Sequence, residues 1–164
     1  MHAEVRERGG AARHANRIAA VQFLYLCIQR GEGEFSPELF SDFCQMLTYA
    51  PEKFSFAEEL VRGVLGQIPF LDGRIASRAA HWKLSRMAKV DLCILRLATY
   101  ELFFTENVPA VVIIDEAIEV AKALSSPESG CFINGLLDRL KDRGECPRQA
   151  SAAVRLVLPC GNAP

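Results

Sequence analysis

The sequence is poor in the residues from which catalytic and metal centres are usually built. It has three histidines and six cysteines in 164 residues, with no CxxC pair and no histidines at zinc-ligand spacing. No P-loop, GxSxG or HExxH occurs. The segment Gly31-Glu32-Gly33-Glu34-Phe35-Ser36 lacks the third glycine of a dinucleotide fingerprint and puts acids where a phosphate would sit. His2 is terminal, His14 opens a helix and His81 stands beside Trp82, so no spacing gathers a nucleophile, a base and an orienting acid. Asp115, Glu116 and Glu119 read as a solvated helix face. These absences point away from an enzyme, a metal and a cofactor.

Long apolar runs are also missing: nothing approaches the roughly 20 residues that a membrane span needs. Arg13 and Arg17 ahead of Ile18 to Ile28 imitate a signal peptide. Glu4, Glu7, the internal Gln22 and the polar Gln29-Arg30-Gly31-Glu32 argue against one. Cys27 and Cys93 fall inside apolar helical runs, where a free thiol behaves as a small hydrophobe. The expectation is a cytoplasmic protein with reduced cysteines.

Strand-like alternation is absent as well, and what replaces it is helical periodicity. The expected fold is all-α, about seven helices in two packed helical subdomains, 11–82 and 86–143. A mobile tail is expected over 1–10 and a disordered one over 144–164. Gly31-Glu32-Gly33 should stop a first helix spanning about Ala11 to Arg30. Ser36-Pro37-Glu38 and Ser126-Pro127-Glu128 each read as an N-cap, a proline in the first turn and an acid. Trp82 is expected to face inward, and Gly135 to permit a close helix contact within the last helix.

The most apolar stretch, Met87 to Phe104, is too hydrophobic for the surface yet carries Arg96 and Glu101. A buried charge is costly unless paired, so both need partners on neighbouring helices.

Net charge is only −1, but it is segregated. Residues 1–30 hold five Arg against two Glu, and 61–100 hold seven Lys or Arg against two Asp. The intervening 31–60 hold one Lys against seven acids, and 101–143 four cations against eight acids. Basic segments brought together would make a positive face suited to a polyanion. Arg13 and Arg17, one helical turn apart with His14 between, could neutralise phosphates, although paired surface arginines are commonly mere solvation. Phe132, near the start of the last helix, could stack on an unpaired base or simply pack inward.

The segment VDLCILRLATYELFFTENVPAVVIIDEAIEVAKALSSPESGCFINGLLDRL, residues 90–140, together with AAVQFLY (Ala19 to Tyr25) behind a basic helix start, resembles the NusB family of transcription antitermination factors. The likeness covers about residues 11–143. It implies a NusB-like helical fold without enzymatic activity. It also implies binding to the boxA element of nascent RNA, together with the ribosomal small-subunit protein NusE, on elongating RNA polymerase. Mapped onto this sequence, it implies RNA contacts at Arg13, His14, Arg17, Lys89, Glu128, Ser129 and Phe132, and partner contacts at Tyr25 and Asp91. The basic start is thinner than the family's, with Ala15 and Asn16 in it and Cys131 at a position that is often lysine. Weak RNA binding alone and tighter binding with NusE is therefore expected. Two alternatives stay open: a helical interaction or dimerisation module without RNA, and an RNA-binding module related to ribosomal RNA methyltransferases.

Overall fold

The structure is a computed structural model and describes residues 2–47, 51–79, 82–106 and 108–141. Among these are seven α-helices, two short 3-10 turns and no strand: α1 (His2–Arg30), α2 (Pro37–Met46), α3 (Ser55–Leu65), α4 (Ile68–Arg78), α5 (Lys89–Phe104), α6 (Ala110–Leu124) and α7 (Pro127–Leu140). The turns, Pro51–Phe54 and Leu84–Arg86, precede α3 and α5. None of the helices is long and apolar enough to cross a membrane.

The helix ends follow from local chemistry. Gly31 adopts φ 71° and closes α1, with Gly31 N–H donating to Ile28 O and Glu32 N–H to Cys27 O at 3.3 and 2.9 Å. Ser36 and Ser126 cap α2 and α7, accepting from Leu39 N–H at 3.1 Å and Ser129 N–H at 3.4 Å. No side chain from its own N-cap serves α3. Its cap comes from another helix: buried Asn16 on α1 accepts from Ala57 N–H at 2.9 Å and donates to Lys53 O at 3.0 Å.

The helix α5 is the hub, packing against α1, α3, α4, α6 and α7. One core runs from Ala19 on α1 to Leu140 on α7, so the two helical groups share it. Both charges of α5 find the required partners. Arg17 on α1 grips Glu101 through two bonds, Nε–Oε2 at 2.9 Å and Nη2–Oε1 at 2.8 Å. Arg96 grips Asp72 on α4 in the same two-pronged way, both bonds at 2.8 Å. These pairs fix how α1 and α4 lie along α5.

Several expectations need correction. The first helix begins at His2 instead of near Ala11; 144–164 lie outside the described residues. Trp82 is 57% exposed, because α4 ends at Arg78 and releases the chain before it. Gly135 is exposed and a Cβ there would meet nothing. The close approach is at Gly63, where a Cβ would run into the Tyr100 ring.

Candidate nucleic-acid interface

Two groups of candidate residues emerge, one near the middle of α1 and one beside its C-terminal end. Lys89 at the start of α5 reaches Gln29 Oε1 with its ammonium at 3.3 Å, while Glu101 near the end of α5 holds Arg17, so the two helices run antiparallel. At about 1.5 Å per residue, Arg13 stands roughly 24 Å along α1 from Gln29.

Among the candidates on α1, Arg13 is exposed, its guanidinium 5.6 Å from the centroid of the Phe56 ring. His14 is half-buried and its Nδ1 lies 3.1 Å from Glu116 Oε2. Arg17 is 4% exposed; besides Glu101, it reaches Glu116 Oε2 at 3.3 Å. Burial alone would lower its pKa, but the hydrogen bonds and charges of Glu101 and Glu116 outweigh that and raise it above the ordinary value. Arg17, expected among the RNA contacts, thus has its guanidinium committed to Glu101 and Glu116 inside the fold.

In the second group, the first turns of α5 and α7 meet beside the segment linking α4 to α5. A groove of about 290 Å³ is lined there by Trp82, Arg86, Met87, Asp91, Glu128 and Phe132, among others. Trp82 and Phe132 touch with centroids 5.8 Å apart and planes at 59°. A second groove of about 270 Å³ lies on the other side of the same rings, between Arg78 on α4 and Arg139 on α7.

The floor of the first groove is held by a hydroxyl network. Ser125 Oγ donates to Asp91 Oδ1 at 2.7 Å and Ser129 Oγ to Asp91 Oδ2 at 3.0 Å. Asp91 is therefore 8% exposed rather than standing at an open helix entry, and the Ser129 hydroxyl is turned inward. Both residues tie α7 to α5 while lining the groove floor. Glu128 is exposed at the rim, and its own backbone N–H, then the Ser126 hydroxyl, hold its carboxyl below the ordinary range. As an anion it repels phosphate but can accept from a base amino group or a ribose 2′-OH. Tyr25, one turn before Gln29, is half-buried against the core. No group of three or more His, Cys, Asp or Glu among the described residues is placed to hold a metal.

Comparison with known proteins gives this arrangement its family. The NusB family profile matches residues 14–142. The chain belongs to the NusB family. It is 40% identical over 131 residues to the transcription antitermination protein NusB of Sorangium cellulosum, covering 80% of this chain and 92% of that one. The NusB of T. maritima superposes with a TM-score of 0.71 at 33% identity, covering 85% of this chain and 96% of its own. A structure of the antitermination factors NusB and NusE with double-stranded RNA shares the fold, with a TM-score of 0.70 at 24% identity over 80% of this chain and 97% of that one. The NusB family comprises transcription antitermination factors, not enzymes.

Within this NusB family chain the structure draws Lys89, Asp91, Glu128, Ser129 and Phe132 into one neighbourhood and leaves Arg13 and His14 outside it. Sequence reasoning singled out Lys89 alone among the cations here, yet Arg78, Lys83, Arg86 and Arg139 are also exposed around the ring pair. The signal for three of them was the basic excess of residues 61–100. Arg139 gave none, since it sits in an acidic segment and is brought over by the packing of α7 on α4.

Proposed function

We propose that this chain binds the boxA element of nascent RNA together with NusE, and that the assembly acts on elongating RNA polymerase to suppress termination. The observation that carries the reading is the Trp82–Phe132 ring pair set among exposed cations at the meeting of α4, α5 and α7. A largely exposed Trp82 and a half-buried Phe132 supply sequence-tolerant stacking for unpaired bases, and the surrounding cations supply phosphate attraction. Glu128 adds an acceptor that favours RNA through its 2′-OH. That a protein of this fold has been captured with NusE and RNA agrees with the reading. Arg13 and His14 form a separate, weaker phosphate site near the middle of α1, and Tyr25 lies on the flank available to NusE.

The test is titration of a labelled boxA RNA with the protein, alone and with NusE. Binding is expected in both arms and should be tighter with NusE. Phe132→Ala should weaken it by about 1–3 kcal/mol, the range for loss of one base stack. Because Phe132 is half-buried, its melting temperature has to be measured alongside. No complex in either arm would refute the proposal and favour a protein-interaction module without RNA.

A further inference from the structure

The two grooves flanking the ring pair differ in their charge, and that difference suggests how a strand runs. The first groove contains cation and carboxylate together, Arg86 with Asp91 and Glu128. The second is lined by Arg78, Ala79, Trp82, Cys131, Phe132, Gly135, Leu136 and Arg139, with no carboxylate among the described lining residues. Arg139 Nη1 donates to the Arg78 carbonyl at 3.5 Å, which holds the Arg139 guanidinium at the end of α4. Two arginines lining one groove without a carboxylate favour a phosphate, which can accept charge-assisted hydrogen bonds from both. The rings that divide the grooves are tilted against each other rather than stacked face to face. Trp82 touches Phe132 yet remains 57% exposed, an apolar surface large enough to take a base.

We infer that Trp82 is a second base-stacking residue and that the Trp82–Phe132 pair works as a wedge across which one single-stranded RNA passes. One base seats in the groove of Arg86 and Glu128. The next seats beyond the wedge, with its phosphate on Arg78 and Arg139. This inference rests on the RNA-binding reading above and extends it: it assigns the strand's continuation, a stacking role to Trp82 and a phosphate role to two arginines. The first groove supplies polar discrimination through Glu128. The second, carrying only cations and apolar atoms, supplies affinity without base selectivity.

The experiment uses the full chain at low salt, where phosphate contacts contribute most. Anisotropy of labelled boxA RNA measures binding, and tryptophan emission with unlabelled RNA reports on the wedge directly, because Trp82 is the only tryptophan in the sequence. Emission should be quenched along the same isotherm as the anisotropy. Trp82→Leu should weaken binding by about 5- to 150-fold, which corresponds to one lost stack, while Trp82→Phe keeps most of the affinity. Arg78→Gln with Arg139→Gln should flatten the salt dependence by about 1.4 in log–log slope, some 0.7 for each single-strand phosphate contact. As Trp82 and both arginines are exposed, these variants should melt like the parent. Binding with unchanged Trp82 emission, or wild-type affinity in Trp82→Leu, would overturn the wedge. An unchanged salt slope in the arginine double variant would overturn the path through the second groove. Failure of the parent protein to bind RNA at all is a different result, which removes the RNA-binding reading itself and this inference with it.

Discussion

Arg17→Met tests whether the most buried charge of α1 is structural. The substitution keeps an unbranched chain of similar length but leaves Glu101, 1% exposed, without its cation. Two charge-assisted bonds to Glu101 and a third to Glu116 disappear together. Glu116 still has His14 beside it and is partly open to water, so most of the loss falls on Glu101. Removing one partner of a buried pair costs about 3–5 kcal/mol, chiefly through the uncompensated charge left behind. For a domain of this size each kcal/mol moves the melting temperature by about 2–4 °C, so a fall of roughly 6–20 °C is expected. Thermal melts followed by helical circular dichroism measure it directly. The double variant Arg17→Met with Glu101→Met should recover most of the loss, because an apolar pair of similar volume is tolerated where a lone charge is not. RNA affinity, measured below the melting transition, should be unchanged in the single variant. A melting temperature within about 2 °C of the parent, about one kcal/mol or less, combined with weakened RNA binding, would overturn the structural role and return Arg17 to the binding surface.

Other perturbations follow from the same packing. Gly63→Ala should lower the melting temperature, since overpacking against Tyr100 costs about 1–3 kcal/mol and exceeds the gain of about 1 kcal/mol in helix propensity; in a Tyr100→Ala background the same change should become stabilising. Burial, then the neighbouring Glu32, pushes the Cys27 thiol up to about 11, above the value near 8.5 of an unfolded thiol. Its folded pKa being raised, the stability it contributes is intact below about pH 8.5 and is lost as pH rises toward 11; Cys27→Ala should flatten that alkaline decline in urea titrations made at successive pH values. Asp91→Ala should lower the melting temperature and the RNA affinity together, because it strips the Ser125 and Ser129 hydroxyls of their acceptor and frees the start of α7. Loss of NusE binding at unchanged stability would instead make Asp91 a direct partner contact.

The fold was legible in the sequence wherever local signals acted. The two Ser-Pro-Glu helix starts lie where expected, and the need of Arg96 and Glu101 for partners followed from the cost of burying charge. The identity of the partners did not follow, because Asp72 and Arg17 meet α5 only through tertiary packing at separations of 24 and 84 residues. The same limit explains the errors at the candidate site. Arg13 and Arg17 look alike in sequence, yet one faces water and the other a carboxylate. Asp91, named a partner contact from the resemblance, is covered by the Ser125 and Ser129 hydroxyls, which lie 34 and 38 residues away in sequence. Trp82 looked like a core residue by composition, and only the end of α4 at Arg78 decides that it emerges.

These errors bear on affinity in a definite direction. The sequence suggested a thinned basic surface, with Arg17 still counted on it. With Arg17 buried, the candidates left on α1 among the described side chains are Arg13 and a half-buried His14 tied to Glu116. The group beside the C-terminal end of α1 gains Arg78, Arg86 and Arg139, which line the grooves beside the two rings, and the exposed Lys83 next to Trp82 in the chain, besides the Lys89 already counted. If each of these five cations meets a phosphate, the single-strand salt slope is about −3.5 without any contribution from α1. The centre of binding then shifts from the arginines of α1 to the junction of α4, α5 and α7. The antiparallel pairing of α1 with α5 makes this shift consequential, since it sets Arg13 roughly 24 Å along α1 from Gln29 and Lys89. An RNA too short to span that distance should still bind the wedge, and lengthening it should add only the single contact that Arg13 offers.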